Sequence, residues 1–190
     1  SVLMECTYGD KPHRDPEEAY QEFRDVVLKT VKRGGKVIVP AFSVGRTQEL
    51  VFCLNRMISE EELPPIPVFV DSPMAIDATD LLHAHSEDHR LTPKQCKEVC
   101  AIATYTRDVD GSKGITASPY PKVVISASGM ATGGRVLHHL KAFAPDARNT
   151  ILFSGFQADG TRGRAMLQGA QETKIHGEWI PVRAAVEELS

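Results

Sequence analysis

Several features are scarce or missing in this chain of 190 residues, and each absence removes a class of protein. No apolar run approaches the ~20 residues a helix needs to cross a bilayer, so no membrane partner is expected. The opening Ser1-Val2-Leu3-Met4-Glu5 puts a carboxylate where an export signal carries basic residues and a long apolar stretch, which points to the cytoplasm. Four cysteines (Cys6, Cys53, Cys96, Cys100) are too few and too irregularly spaced for a disulfide framework, and in the cytoplasm they stay reduced. Cys96 and Cys100 are neighbours on a helical stretch by spacing alone, and a zinc pair there would need two further ligands. An excess of one charge is also missing. With 22 Lys plus Arg against 25 Asp plus Glu, the formal charge is -3, so the whole-chain field does not attract nucleic acid and any RNA or DNA contact must be local.

What is present is ordinary globular composition, 42% apolar and 25% charged, which argues against disorder. The length suits one α/β domain, or one and a fraction, burying roughly 70% of its unfolded surface. Asp15-Pro16-Glu17-Glu18 is a helix start, with a capping Asp, Pro at the first helical position and acids that suit the helix dipole. Ala19, Phe23, Val26, Val27 and Val31 follow at helical spacing until Gly34-Gly35. Then comes Val37-Ile38-Val39, an apolar run without polar alternation, which reads as a strand buried on both faces. The unit recurs. Helices are expected over Leu50 to Ile58, Gly134 to Phe143 and from Gly163 to Gln168, and buried strands at Val68-Phe69-Val70, Val123-Val124-Ile125 and Ile151-Leu152-Phe153.

Such alternation predicts an α/β fold of Rossmann-like build, an open and mainly parallel sheet with helices on both faces. The stretch Thr79 to Thr116 reads as an irregular flank: a helix ending near His83 to His89, another from Pro93 to about Ala103, and a polar loop from Arg107 to Gly114. The tail alternates through Thr173, Ile175, Ile180, Val182, Ala184 and Val186, predicting a terminal β-hairpin around His176-Gly177-Glu178. Val2-Leu3-Met4 reads as a strand cut at its start, and both ends read as boundaries within a longer polypeptide.

Open parallel sheets bind ligands at the carboxyl ends of their strands. Three segments expected there, Pro40 to Arg46, Ser126 to Arg135 and Ser154 to Arg164, each bring Gly and Arg to a helix start. Glycine lets backbone N–H groups approach a ligand, a helix N-terminus favours an anion, and Arg offers a planar fork to phosphate oxygens. A phosphodiester chain could lie along such an edge. Gly129 to Gly134 also mimics a nucleotide P-loop, but Arg135 replaces the lysine and Val136 the magnesium-binding hydroxyl. His83-Ala84-His85-Ser86-Glu87-Asp88-His89 approximates the H-x-H-x-D-H metal motif, with its carboxylate and last imidazole one place late and on a helix end. No metal ligands are therefore expected within the chain.

Several collinear segments together resemble one family. Glu5-Cys6-Thr7-Tyr8-Gly9-Asp10, followed by His13, is similar to the acidic motif A of β-CASP proteins, the nucleic-acid-processing branch of the metallo-β-lactamase superfamily, with Cys6 where Ser or Thr is usual. Gly34 to Glu49, Val70-Asp71-Ser72-Pro73-Met74-Ala75, Ser126 to Met130 with Gly133-Gly134-Arg135, Phe153 to Ala158, and Gly169-Ala170 with Ile175 to Val182 resemble its other signature stretches. The resemblance runs through all 190 residues and is nearest to bacterial and archaeal relatives of the pre-mRNA 3′-end endonuclease and ribonuclease J. It implies that residues 1–190 form a β-CASP domain, with segments 1–10 and 171–190 as strands leading to a metallo-β-lactamase half outside this sequence.

The resemblance further implies an RNA-binding lid over a zinc-dependent ribonuclease, with two zinc ions held by the other half and no cofactor in this chain, which alone would be inactive. Glu5 would be the motif A acid, supporting a motif B histidine expected just beyond Ser190. Arg46, Ser128, Gly129, Gly133, Gly134, Arg135, Gln157 and Arg162 would line the RNA or phosphate side. The implied partners are single-stranded RNA and the metallo-β-lactamase half, with a homodimer left open. Two other readings stand beside this one: a Rossmann-like nucleotide or phosphate-ligand module without nuclease activity, and a structural homologue that associates through an apolar face.

Overall fold

The computed structural model describes residues 1–9 and 15–189. Its elements in chain order are α1 (Pro16–Lys32), β1 (Val37–Pro40), α2 (Arg46–Ser59), β2 (Val68–Asp71), α3 (Pro73–Ala84), α4 (Pro93–Ala101), β3 (Ala103–Tyr105), α5 (Val109–Ala117), β4 (Val123–Ser126), α6 (Val136–Phe143), β5 (Thr150–Phe153), α7 (Arg162–Leu167), β6 (Glu172–Ile175), β7 (Glu178–Pro181) and β8 (Ala185–Glu188). Six strands form one sheet in the order β3-β2-β4-β1-β5-β8, and every pairing in it is parallel. The strands β6 and β7 form a separate antiparallel hairpin that turns at His176 and Gly177, where the tail pattern predicts it.

The unbroken apolar runs have a direct physical cause. Along β1, Val37 and Val39 face the core shared with Phe23 and Val27 of α1 and Leu50 and Leu54 of α2. Ile38 faces the opposite core, formed by Val136 and Leu140 of α6, Met166 of α7 and Ile175 of the hairpin. Both faces of the sheet are covered, so neither register position is left to polar residues. The α1 start carries the expected signal, Asp15 Oδ1 accepting from the Glu17 N–H at 2.7 Å, and Ser72 and Thr161 cap α3 and α7 in the same way.

Four local expectations differ from what forms. The expected polar loop from Arg107 to Gly114 is largely α5, because Asp108 Oδ1 accepts from the Gly111 N–H at 2.7 Å and Ser112, Ile115 and Thr116 turn inward at helical spacing. Two glycines hide that helix from propensity, and tertiary contact overrides them. The expected irregular flank also supplies β3, which completes one edge of the sheet beside β2. The last alternating residues do not extend the hairpin: β8 joins the main sheet at its edge, parallel to β5. Finally, Val2-Leu3-Met4 form no strand and their side chains are exposed.

Because all six strands run the same way, Pro40, Asp71, Tyr105, Ser126, Phe153 and Glu188 end at one edge of the sheet. The three Gly/Arg loops all leave from that edge.

Candidate nucleic-acid interface

The carboxyl edge is organised around Asp71, the last residue of β2, whose side chain is 0% exposed. Its Oδ1 accepts from Arg135 Nη1 at 2.7 Å, and its Oδ2 accepts from Ser112 Oγ at 2.6 Å and lies 2.7 Å from His139 Nε2. Its backbone carbonyl accepts from Ser126 Oγ at 2.8 Å. Burial alone would raise the carboxyl's pKa, but the hydrogen bonds from His139, Ser112 and Arg135 outweigh it and hold Asp71 below the ordinary 3.8. The Thr116 hydroxyl meets the other ring nitrogen of His139 at 3.2 Å, so α5, α6 and β2 close on one carboxylate.

Arg135 is thus directed inward. Beyond Asp71, its guanidinium donates to the carbonyls of Thr106 (2.9 Å) and Arg107. Arg162 behaves similarly: Nε donates to Lys174 O at 2.7 Å, and Nη1 to Ala131 O at 2.8 Å, which ties α7 to the hairpin and to the loop after β4. The Gln157 amide is buried and donates to Gly129 O at 3.0 Å and Gly155 O at 2.9 Å, joining two of the three loops. Ser128 Oγ accepts from the Thr132 and Gly133 N–H groups at 3.1 and 3.3 Å and organises its own loop. Gly134 sits at φ +76°, with any Cβ 2.5 Å from Ala127 O, so its role is the tight turn into α6. A Cβ on Gly133, by contrast, would meet no atom within 4 Å. Of the three loop arginines expected to face a phosphate, Arg46 stays at the surface, paired with Glu49 at 2.7 Å.

Aromatic side chains occupy the outside of the same edge. The Phe42 ring lies on Gly129, where a Cβ would come within 2.9 Å of Cδ2, and reaches Gly155, where the distance would be 3.8 Å to Cε2. Phe42 and Phe156 remain 45% and 44% exposed. The Phe156 N–H donates to Tyr8 Oη at 3.0 Å, which brings the N-terminal segment and Glu5 to this edge. Glu5 is exposed, and the Thr7 hydroxyl and N–H hold its carboxyl below its ordinary value. Asp10 and His13 of the motif A stretch lie outside the described residues.

The described residues do not fit a two-zinc centre. Their one His/Glu/Asp group with ligand atoms converging within 4.8 Å is His85, Glu87 and Asp88, fully on the surface, with His85 and Asp88 already paired at 3.4 Å. His89 meets Leu82 O at 2.9 Å through Nε2 and the Leu91 N–H at 3.2 Å through Nδ1. No described helix is long and apolar enough to cross a membrane.

The model of the Beta-Casp domain family matches residues 47–166. The chain belongs to the Beta-Casp family. That match takes in Asp71, Ser112, Ser128, Arg135, His139, Gln157 and Arg162, whereas Glu5, Phe42 and Arg46 precede it. Across 99% of the chain, this Beta-Casp sequence is 37% identical to "Ribonuclease TTHA0252" of Thermus thermophilus, and it covers 44% of that protein. It is 36% identical to "Transcription termination factor FttA" of Methanosarcina mazei, over 94% of the chain and 29% of the relative. It is 31% identical to an "RNase J-like protein" of Methanocaldococcus jannaschii, over 99% of the chain and 44% of the relative. The chain therefore spans less than half the length of these curated relatives.

Sequence reasoning found the three loops and missed the group that anchors Arg135, at the end of one of them. Asp71 lies in a signature stretch, Val70 to Ala75, but Ser112 and His139 carry no local signal that they share its carboxylate. A single acid ending an apolar strand was the available clue, since an unpaired buried carboxylate is too costly to keep.

Proposed function

We propose that this domain is the RNA-binding lid of a zinc-dependent ribonuclease and that the 190 residues alone cleave nothing. The observation that carries the reading is the family membership together with a carboxyl edge on which all three Gly/Arg loops meet. Two zinc ions would belong to the metallo-β-lactamase half, since the described residues do not fit them. Residues 1–190 would form a β-CASP domain, with segments 1–10 and 171–190 leading to that half.

In this reading Glu5 is a positioning acid near the cleft, Arg46, Ser128 and Gly133 are the groups the edge can offer directly to RNA, and Gly129 makes room for the Phe42 ring. Gly134, Arg135, Gln157 and Arg162 act one step back: they hold the loops in shape through the carbonyls and the carboxylate described above. The reading is supported by relatives whose names include ribonuclease and RNase J-like protein. A cytoplasmic location accompanies it, with a homodimer left open.

The test is a gel assay of the purified chain with end-labelled single-stranded RNA, with and without zinc. A retarded band without cleavage is expected. Cleavage that survives removal of contaminating nuclease would put catalytic residues within this chain and overturn the lid reading. Saturable stabilisation by a nucleotide, with no RNA binding, would favour the Rossmann-like ligand module instead.

A further inference from the structure

The arginines expected to grip phosphate are mostly turned inward, while aromatic rings at the same edge are turned out. Among the described residues, Phe42 and Phe156 are the half-exposed phenylalanines of the carboxyl-edge loops. Phe42 packs closely over Gly129, and a Cβ on Gly155, the residue before Phe156, would lie 3.8 Å from its Cε2. Gly129 thus serves the ring rather than a phosphate: any side chain there would strike Phe42 Cδ2, Cε2 and backbone nitrogen, all within 3.0 Å. The Phe42 carbonyl accepts from Thr47 Oγ1 at 2.8 Å, which fixes the loop from its other end. The Phe156 backbone is fixed by Tyr8.

We infer that Phe42 and Phe156 form a stacking platform for unpaired bases of single-stranded RNA, and that stacking rather than charge carries most of the affinity of this edge. The inference rests on the RNA reading above and deepens it. A half-exposed ring is what a base requires for stacking, and every base offers a π-face. Arg46, at the start of α2 four residues after Phe42, supplies a surface guanidinium for the adjoining phosphate. Its pair with Glu49 is exposed and so worth little, leaving it able to change partners.

Salt dependence separates stacking from ion pairing. For single strands the slope of log K against log salt is about -0.7 for each phosphate neutralised. One contact, from Arg46, predicts a slope near -0.7; contacts from Arg46, Arg135 and Arg162 together would give about -2.

The experiment is a 15N NMR titration of the 190-residue chain with hexauridylate, repeated at three salt concentrations, and with an abasic ribose-phosphate hexamer. Phe42→Leu and Phe156→Leu keep apolar volume while removing the ring, and their melting temperatures report that the fold survives. Expected are saturable shifts at the Gly129 and Gly155 amides, a shallow salt slope, and about 5- to 100-fold weaker binding for each Leu variant and for the abasic hexamer. Phe42→Trp should bind at least as well as the parent chain. Equal affinity of the variants and of the abasic hexamer, or a slope near -2, overturns the platform while leaving RNA binding intact. No binding of any oligonucleotide overturns the RNA reading itself. A concentration-dependent dimer that the Leu variants abolish would make the rings an interface between copies and overturn the platform.

Discussion

Replacing Asp71 by Asn tests the reasoning behind the carboxyl edge most directly. The substitution preserves shape but removes the charge and turns one acceptor into a donor. Asp71 now accepts from Arg135 and Ser112 and meets His139, all within 2.7 Å. The new side-chain amide could keep its oxygen toward Arg135 only by aiming its hydrogens at Ser112 and His139. Those two could turn to acceptors, but the guanidinium would lose its counter-charge. Removing one partner of a buried pair costs about 3–5 kcal/mol. The lower end applies, since Arg135 is 21% exposed and keeps its bonds to the carbonyls of Thr106 and Arg107. With a urea slope of roughly 2 kcal/mol/M, the unfolding midpoint should fall by about 1.5 M. Arg135→Met combined with D71N should cost less than the sum of the two single changes, as expected for groups that share one interaction. The pH dependence follows in sign: because Asp71's folded pKa lies below the ordinary 3.8, its stabilisation is present above that value and is lost as pH falls through the folded one. The gap between parent and D71N should therefore close in acid. A midpoint shift under about 0.5 M, or strict additivity with Arg135→Met, would refute the view that this carboxylate holds the edge together.

Lys122 is 1% exposed and donates to the carbonyls of Ile115 and Ser118, at 2.7 and 2.8 Å. Burial, helped by the charge of Lys36, lowers its pKa from 10.5 to about 8. The unfolded chain then binds more protons than the folded one between those values, so stability should rise across pH 8 to 10.5 by up to about 3 kcal/mol. Lys122→Met should remove that rise in paired urea melts, and an unchanged pH profile would contradict it. Gly134→Ala should destabilise by at least about 2 kcal/mol, from left-handed backbone strain and the clash with Ala127 O, as read by thermal melting. In a full-length parent, Glu5→Ala should lower turnover about 10- to 100-fold while RNA affinity changes little; unchanged turnover would remove the supporting role proposed for that acid.

The layers of this fold were legible in the chain because a sheet covered on both faces leaves the middle of its central strands to apolar residues. Val37-Ile38-Val39, Val68-Phe69-Val70, Val123-Val124-Ile125 and Ile151-Leu152-Phe153 all became buried parallel strands for that reason. Helix starts were legible too, since caps such as Asp15 act within a few residues of themselves. The short elements were not. Helix α5 has two glycines and exists because Asp108 caps it and Asp71, 41 residues before Ser112, draws that side chain inward. Strand β8 takes its place from hydrogen bonds to β5, which no local pattern encodes.

The amino-acid pattern alone determined the α/β class, the all-apolar strands, the terminal hairpin and the resemblance to β-CASP proteins, because each rests on period, capping or short motifs. Which way a side chain turns was decided only in three dimensions. Arg46, Arg135 and Arg162 look alike in sequence, each beside glycine at a helix start. Yet Arg135 met a buried carboxylate and Arg162 met carbonyls left open by neighbouring loops. A guanidinium goes where unpaired acceptors are buried, since leaving those acceptors bare costs more than withdrawing the cation from water. The positions of such acceptors are set by residues tens of places away. Hence the two inward arginines and the outward Phe42 ring belong to the tertiary structure and to no segment of the sequence.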